Sequence, residues 1–295
     1  MSTETPRQKV AFVTGASSGI GYAVSIELSK RGYKVYGAAR RLEPMEPLKE
    51  YGVTPVQLDV SSLESVLRVK EFLTQELKDG KLDILYNNAG QSCTLPALDV
   101  TDEQFTQAFE VNVFGPIRLS RELSKFVINA QGTFVFTSSL VAVVPFPFSS
   151  VYCATKAAIS QYAHVLHLEM KGFGVRVINV ITGGVKTNVA DTRPLPPNSV
   201  FNFEEGIKAF DDRRKMSDNN SPMTATEYAI QVCNDIESKY DLIDVYRGTW
   251  GFVLGHFAQI APRWLMEWIL VAKFKIGPVY EKLRGKRDGV DLHLD

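Results

Sequence analysis

Tyr152 and Lys156 stand four residues apart, with Ser139 thirteen residues ahead of the tyrosine. On a helix, positions i and i+4 share a face, so the Lys156 ammonium lies within reach of the Tyr152 hydroxyl and favours its ionised form. A free phenol, with a pKa of about 10, exchanges protons poorly near neutrality, and a neighbouring cation lowers it. Such a phenol can protonate a carbonyl oxygen, so the spacing is that of a carbonyl reductase. Tyr-x-x-x-Lys pairs also arise by chance on exposed helices. The elements around this one must decide.

The first of them is a glycine-rich turn, Thr14-Gly15-Ala16-Ser17-Ser18-Gly19-Ile20-Gly21, set between an apolar run at 10–13 and a helical pattern over 20–31. Strand, glycine turn and helix in that order make the place where an α/β sheet binds a dinucleotide. The glycines let backbone approach a pyrophosphate, and the helix N-terminus favours its charge. Gly15, Ser17, Ser18, Ile20 and Gly21 are therefore expected at the cofactor. The second strand ends at Arg40 and Arg41, where a protein preferring NAD usually carries an acid. Arginine there suits a ribose 2′-phosphate, which selects NADPH. Asp59 ends the third strand, placed either at the adenine edge or, with Ser61, in the cap region of the next helix. Gly15-Ala-Ser17-Ser-Gly19 also matches Gly-x-Ser-x-Gly, the nucleophile turn of ester hydrolases. That chemistry needs a histidine base, and His164, His167, His256 and His293 offer no recognisable partner.

Further strands are expected at 34–39, 56–58, 82–86, 132–137 and 175–180, mostly separated by segments of helical period. They are short and apolar on both faces, the pattern of a parallel sheet covered by helices on each side. The expected fold class is α/β: a Rossmann-type, doubly wound parallel sheet in three layers over 1–248, followed by an apolar C-terminal helical extension over 249–295. Within the first part, 188–221 turns to proline, asparagine and charge, and reads either as a substrate lid or as a solvated insertion. Residues 249–274 hold two apolar pieces split by Pro262-Arg263, each shorter than the ~20-residue helix that crosses a bilayer. Trp250, Trp264, Trp268, Lys273 and Lys275 are types that favour a membrane interface. The pieces therefore either lie on a membrane or pack as a helix pair on the sheet or on a subunit.

Lysine plus arginine total 33, as do aspartate plus glutamate, so no basic field invites nucleic acid. Cys93, Cys153 and Cys233 are far apart and form no cluster with metal spacing, so a reducing compartment and no metal are expected. The polar start, 1–9, reads as no secretory signal, which leaves the catalytic body facing the cytosol.

Thr14-Gly-x-x-x-Gly-x-Gly21, Asn87-Asn-Ala-Gly90, Asn112, Ser139, Tyr152 and Lys156, in that order and at those spacings, resemble the short-chain dehydrogenase/reductase superfamily over 10–187. The resemblance implies that Tyr152 is the general acid, that Ser139 positions the carbonyl oxygen, and that Lys156 lowers the tyrosine pKa and holds the nicotinamide ribose. It implies that Asn112 holds a water linking Lys156 to solvent, that Asn88 lies near the adenosine ribose, and that Val185 and Thr187 contact the nicotinamide carboxamide. One departure is Thr182, where a proline commonly precedes the first glycine; it would leave that turn less rigid. An intact Ser, Tyr, Lys and Asn set argues against a protein that binds NADPH without turnover. Members commonly form homodimers or homotetramers through helices flanking the sheet.

Longer segments carry a narrower likeness: Arg40-Arg-Leu-Glu-Pro-Met45, Leu85-Tyr-Asn-Asn-Ala-Gly-Gln-Ser-Cys-Thr94, His167-Leu-Glu-Met-Lys171, Ile181-Thr-Gly-Gly-Val185 and Val245-Tyr-Arg-Gly-Thr249. They resemble a fungal group of NADPH-dependent reductases of 1-acyldihydroxyacetone phosphate. That implies reduction of an acylated glycerone phosphate to a lysophosphatidic acid, in glycerolipid synthesis at the endoplasmic reticulum and lipid droplets. Retinoid and steroid ketones stay open as alternatives, because members of the superfamily reduce them too. Arg193, Arg213, Arg214 and Lys215 are the cations that could meet a substrate phosphate.

Overall fold

The first strand, β1 (Val10–Thr14), is buried at all five positions. Only a strand with helices on both faces of its sheet is covered in that way. In the computed structural model, which describes residues 7–187, 191–216 and 221–288, β1 pairs in parallel with β2 (Lys34–Ala39) on one side and β4 (Ile84–Asn87) on the other. The sheet continues through β3 (Val53–Gln57), β5 (Thr133–Thr137), β6 (Arg176–Thr182) and β7 (Asp244–Arg247) in the order β3-β2-β1-β4-β5-β6-β7, every pairing parallel. Between β1 and β4 the order reverses, which opens a crevice at the carboxyl ends of the strands.

Helices α1 (Gly19–Lys30) and α7 (Ala225–Glu237) cover one face around Val13, Leu28, Tyr228 and Val232. Helices α2 (Leu63–Glu76), α4 (Gly115–Ala130) and α5 (Ser150–Met170) cover the other around Phe12, Leu73, Leu123, Phe134 and Ile159. The three-layer, doubly wound arrangement expected from the strand pattern is the one found. Two strands differ in detail. β3 starts three residues before its expected position and includes Pro55, which is tolerated because β3 is a sheet edge. β7 has no counterpart among the expected strands: it is four residues long, charged at both ends, and buries only Val245 and Tyr246.

The described part of the lid, 191–216, contains helix α6 (Glu204–Arg214), which buries Ala209, Phe210 and Arg213. These three side chains pack inward; residues 188–190 and 217–220 of the same segment lie outside the described residues. Beyond β7 the two apolar pieces of 249–274 form α8 (Gly251–Ile260) and α9 (Arg263–Lys273), and a third helix, α10 (Ile276–Asp288), follows. Met266, Leu270, Phe274, Ile276 and Val279 join Val144 and Ala209 in one apolar cluster, and the Phe274 ring meets Phe146 edge-on at 5.8 Å. Gly255 seats α8 so tightly on the Tyr246 ring that any Cβ would collide with it. The inner side of the extension therefore packs on the lid helix and on β7. Among the described residues no helix is long and apolar enough to cross a membrane.

Phe274→Ala should lower stability by about 3–5 kcal/mol, the cost of emptying a buried aromatic site. Denaturant unfolding monitored at the lid and at the sheet checks it; an unshifted midpoint would mean that the extension is not part of this core.

Candidate active site

At the end of β5 the chain crosses the sheet edge through Ser138 and Ser139, and a short turn over Leu140–Ala142 leads toward α5. Ser139 opens that turn, its Oγ accepting from Val141 N at 3.4 Å. One helical turn into α5, Lys156 is buried, and its Nζ donates to the Thr137 carbonyl at 2.7 Å while lying 5.8 Å from the Tyr152 ring centre. The Tyr152 hydroxyl meets Ser139. Serine, phenol and ammonium are thus brought together at the carboxyl end of the sheet.

Loss of water governs their protonation. Burial pushes the Tyr152 phenol up to about 12, opposed by the hydrogen bond to Ser139 and then by the Arg213 guanidinium. Burial alone brings the Lys156 ammonium down to about 8. Helical spacing aims the lysine at the phenol, but the Lys156 Nζ donates to the Thr137 carbonyl.

Asn112 sits in a π-helical turn, Glu110–Phe114, between α3 (Asp102–Phe109) and α4. Its Oδ1 accepts from Gln91 N at 2.8 Å, and its Nδ2 donates to Gln91 O at 2.9 Å and to Thr155 Oγ1 at 3.1 Å. Both amide protons are engaged, so one lone pair on Oδ1 is left for a water. Gly90 passes over this group: a Cβ there would stand 3.3 Å from Asn112 Oδ1 and 3.7 Å from Lys156 Nζ.

The glycine turn interlocks with the same loop. Gly15 has φ +68°, and a Cβ on it would stand 2.9 Å from both Ala89 Cα and Asn88 Nδ2. Thr14 Oγ1 accepts from Asn88 N at 2.9 Å and from Ala89 N at 3.0 Å. Asn88 Nδ2 donates to Thr14 O at 3.0 Å and its Oδ1 accepts from Thr137 Oγ1 at 3.2 Å, so the side chain fastens the tips of β1, β4 and β5 to one another. Helix α1 starts at Ser18 with no side chain capping its first amides and no acid in its first turn. Open amides at a helix start, with glycines that let an anion come close, fit a dinucleotide pyrophosphate.

After β6 the chain returns to this turn. Thr187 Cγ2 would stand 3.1 Å from a Cβ on Gly19, and Val185 is buried in a bridge with Met223. A cleft of about 390 Å³ bordered by Gly19, Tyr22, Lys186 and Thr187 opens here, beside the glycine turn rather than over Tyr152. The looseness expected from Thr182 is not found. Its hydroxyl pairs with Tyr228 OH at 2.7 Å, Gly183 N donates to Arg247 O at 2.8 Å, and Gly184 and Thr249 exchange two backbone bonds of 2.9 Å.

Arg40 and Arg41 are exposed at the end of β2, and neither forms an ion pair among the described residues. Asp59 Oδ1 accepts from Ser61 N at 2.9 Å and from Ser61 Oγ at 2.6 Å, which is the turn arrangement; Ser62 itself caps α2. Histidine chemistry at Ser17 has no support here. His164 pairs with Asp244 at 2.9 Å, His256 with the Phe252 carbonyl at 2.8 Å, and His167 lies 3.7 Å from Asp241. His293 lies outside the described residues. Thr14, Gln91 and Thr155 complete the site; Thr14 opens the glycine motif, but a threonine at a strand tip or in a helix carries no signal of which loop it will hold.

Thr14→Val should leave the Asn88 and Ala89 amides without their acceptor, at about 1–3 kcal/mol for each buried group. A thermal melt together with amide exchange at Ala89 tests this; retained protection there would show that the hydroxyl is dispensable.

The chain matches the short chain dehydrogenase family over residues 9–196. It is 54% identical over 288 residues, 96% of this chain and 97% of the relative, to the NADPH-dependent 1-acyldihydroxyacetone phosphate reductase of Saccharomyces cerevisiae. A protein of the same name from Schizosaccharomyces pombe is 33% identical over 82% of this chain and 80% of its own. Among solved structures, a short chain dehydrogenase from Burkholderia cenocepacia in complex with NADP superposes with a TM-score of 0.69 at 25% identity, covering 90% of this chain and 98% of that one. With the Ser139, Tyr152 and Lys156 cluster standing at the carboxyl edge of this sheet, the chain belongs to the short chain dehydrogenase family.

Proposed function

We propose that this protein is an NADPH-dependent reductase that converts the ketone of 1-acyldihydroxyacetone phosphate to the secondary alcohol, yielding a lysophosphatidic acid for glycerolipid synthesis. The reading is carried by an assembled Ser139, Tyr152 and Lys156 site on a chain 54% identical, over 96% of its length, to a yeast reductase of that name. NADPH, when bound, supplies the hydride that forms the new C–H bond. The open amides at the start of α1 hold its pyrophosphate, and Arg40 and Arg41 hold its 2′-phosphate. Ser139 donates a hydrogen bond to the ketone oxygen and orients it. Tyr152 gives its proton to that oxygen, completing the alcohol, and Lys156 stabilises the phenolate left behind and returns a proton to it. Asn112 holds the Gln91 loop and Thr155 in place, and through them the helix turn that carries Lys156.

Membrane association follows from the outer side of the extension, which we place against the cytosolic surface of the endoplasmic reticulum or a lipid droplet. Ile260 is 82% exposed, Trp264 69% and Trp268 67%, with Trp250 and Phe252 beside them. Tryptophans next to aliphatic side chains suit the boundary between headgroups and hydrocarbon, where a water-insoluble ketone is met. Exposed Phe114, Val165 and Leu168 on the helices flanking the sheet support pairing of copies.

NADPH oxidation followed against acyldihydroxyacetone phosphate, retinal and a steroid ketone tests the substrate; faster turnover of either of the last two overturns it. Tyr152→Phe should cut kcat by about 10²–10⁴. In the reductive direction the rate should fall as pH rises through about 8, where Lys156 loses its proton while Tyr152 keeps its own. Replacing Trp264 and Trp268 together by serine should abolish flotation with anionic vesicles, and undiminished flotation would rule out this surface.

A further inference from the structure

We infer that Arg213, in the last turn of α6, is the residue that binds the phosphate of the substrate; the inference deepens the reductase reading and rests on it. Of the five cations in 188–221, four are engaged or lie in water, the exposed Lys208 among them. Arg193 is paired with Asp191 through two hydrogen bonds, of 2.9 and 2.5 Å, and Asp191 also accepts from Thr94 N at 2.7 Å. Arg214 donates to the Arg193 carbonyl at 2.9 Å and lies 3.9 Å from Asp211. Lys215 is exposed.

Arg213 differs from Arg193 and Arg214 in its burial and in having no ion pair among the described residues; the Nε of Arg214 is likewise without a partner, and Arg214 lies over the Phe210 ring at 5.7 Å. Arg213 is 7% exposed, its Nε has no hydrogen-bond partner, and among the described residues no carboxylate pairs with it. Its guanidinium stacks on the Phe146 ring at 5.4 Å and acts electrostatically on Tyr152 and Cys153. A buried, unpaired cation is costly in a finished fold, and the C-terminal dipole of one helix is too weak to compensate for the lost water. The guanidinium fork matches a phosphate in shape and charge. The substrate brings such a group to this place: its phosphate ester is separated from the ketone carbon by a single methylene and one oxygen, and the ketone must lie at Tyr152. A phenyl ring below the guanidinium lets it stay desolvated until the anion arrives. With a phosphate bound, the pull of Arg213 on Tyr152 is neutralised, which favours the protonated phenol that the reduction needs.

The test compares kcat/KM for 1-acyldihydroxyacetone phosphate with that for the same acylated ketone lacking the phosphate. Wild type should prefer the phosphorylated ketone. In R213M that preference should fall by about 30-fold or more, the loss expected when one partner of a buried charge pair is removed. R213K keeps the buried charge, guarding against a failure to fold, and should lose part of the preference because it lacks the fork. A role confined to packing would slow both ketones alike, and an unchanged ratio in both variants overturns the proposal. A wild type that shows no preference overturns the substrate reading instead.

Discussion

The contact on which the active centre depends is the hydrogen bond from Lys156 to the Thr137 carbonyl. It joins the end of β5 to the first turns of α5 and fixes the height of that helix over the sheet. Every reactive group is referenced to it. Tyr152 lies one turn before the lysine, Thr155 beside it, and Thr137 turns its hydroxyl to Asn88, which in turn grips Thr14 and the glycine turn. A buried ammonium held by a single carbonyl would be unstable in isolation. Its neighbourhood tolerates it because the lysine can release its proton within the ordinary range of pH, as its lowered pKa shows.

The electrostatic character of the crevice follows from the same burial. Phenol and ammonium both lose water, and both shift toward their neutral forms. No acid among the groups that set these shifts counters the change. The helix N-terminus of α1 presents positive potential at the carboxyl edge of the sheet, and the exposed Arg40 and Arg41 follow β2 at the same edge. An edge of this kind favours ligands that bring their own negative charge.

Much of this was legible in the residues because it rests on local rules. A parallel sheet announces itself by strands that are apolar on both faces, and a glycine turn between strand and helix can be placed without coordinates. What escaped depends on distant partners. β7 is held by pairing with β6 rather than by its own composition, and Pro55 reads as a break unless the strand is known to be an edge. Thr182 departs from a familiar pattern, yet Tyr228 on α7 secures it, a compensation forty-six residues away. The five cations of 188–221 look alike in sequence; only burial and the position of Asp191 separate Arg213 from the rest.

The lid and the C-terminal extension share one apolar cluster, with Phe146, Phe148 and Phe201 contributed by the body and lid and Met266, Leu270 and Phe274 by the extension. A deletion made at the end of β7 would therefore not leave the rest of the protein intact. It would unroof α6 and uncover the Phe146 ring over which Arg213 lies. Any chimera that borrows this extension must borrow 191–216 with it.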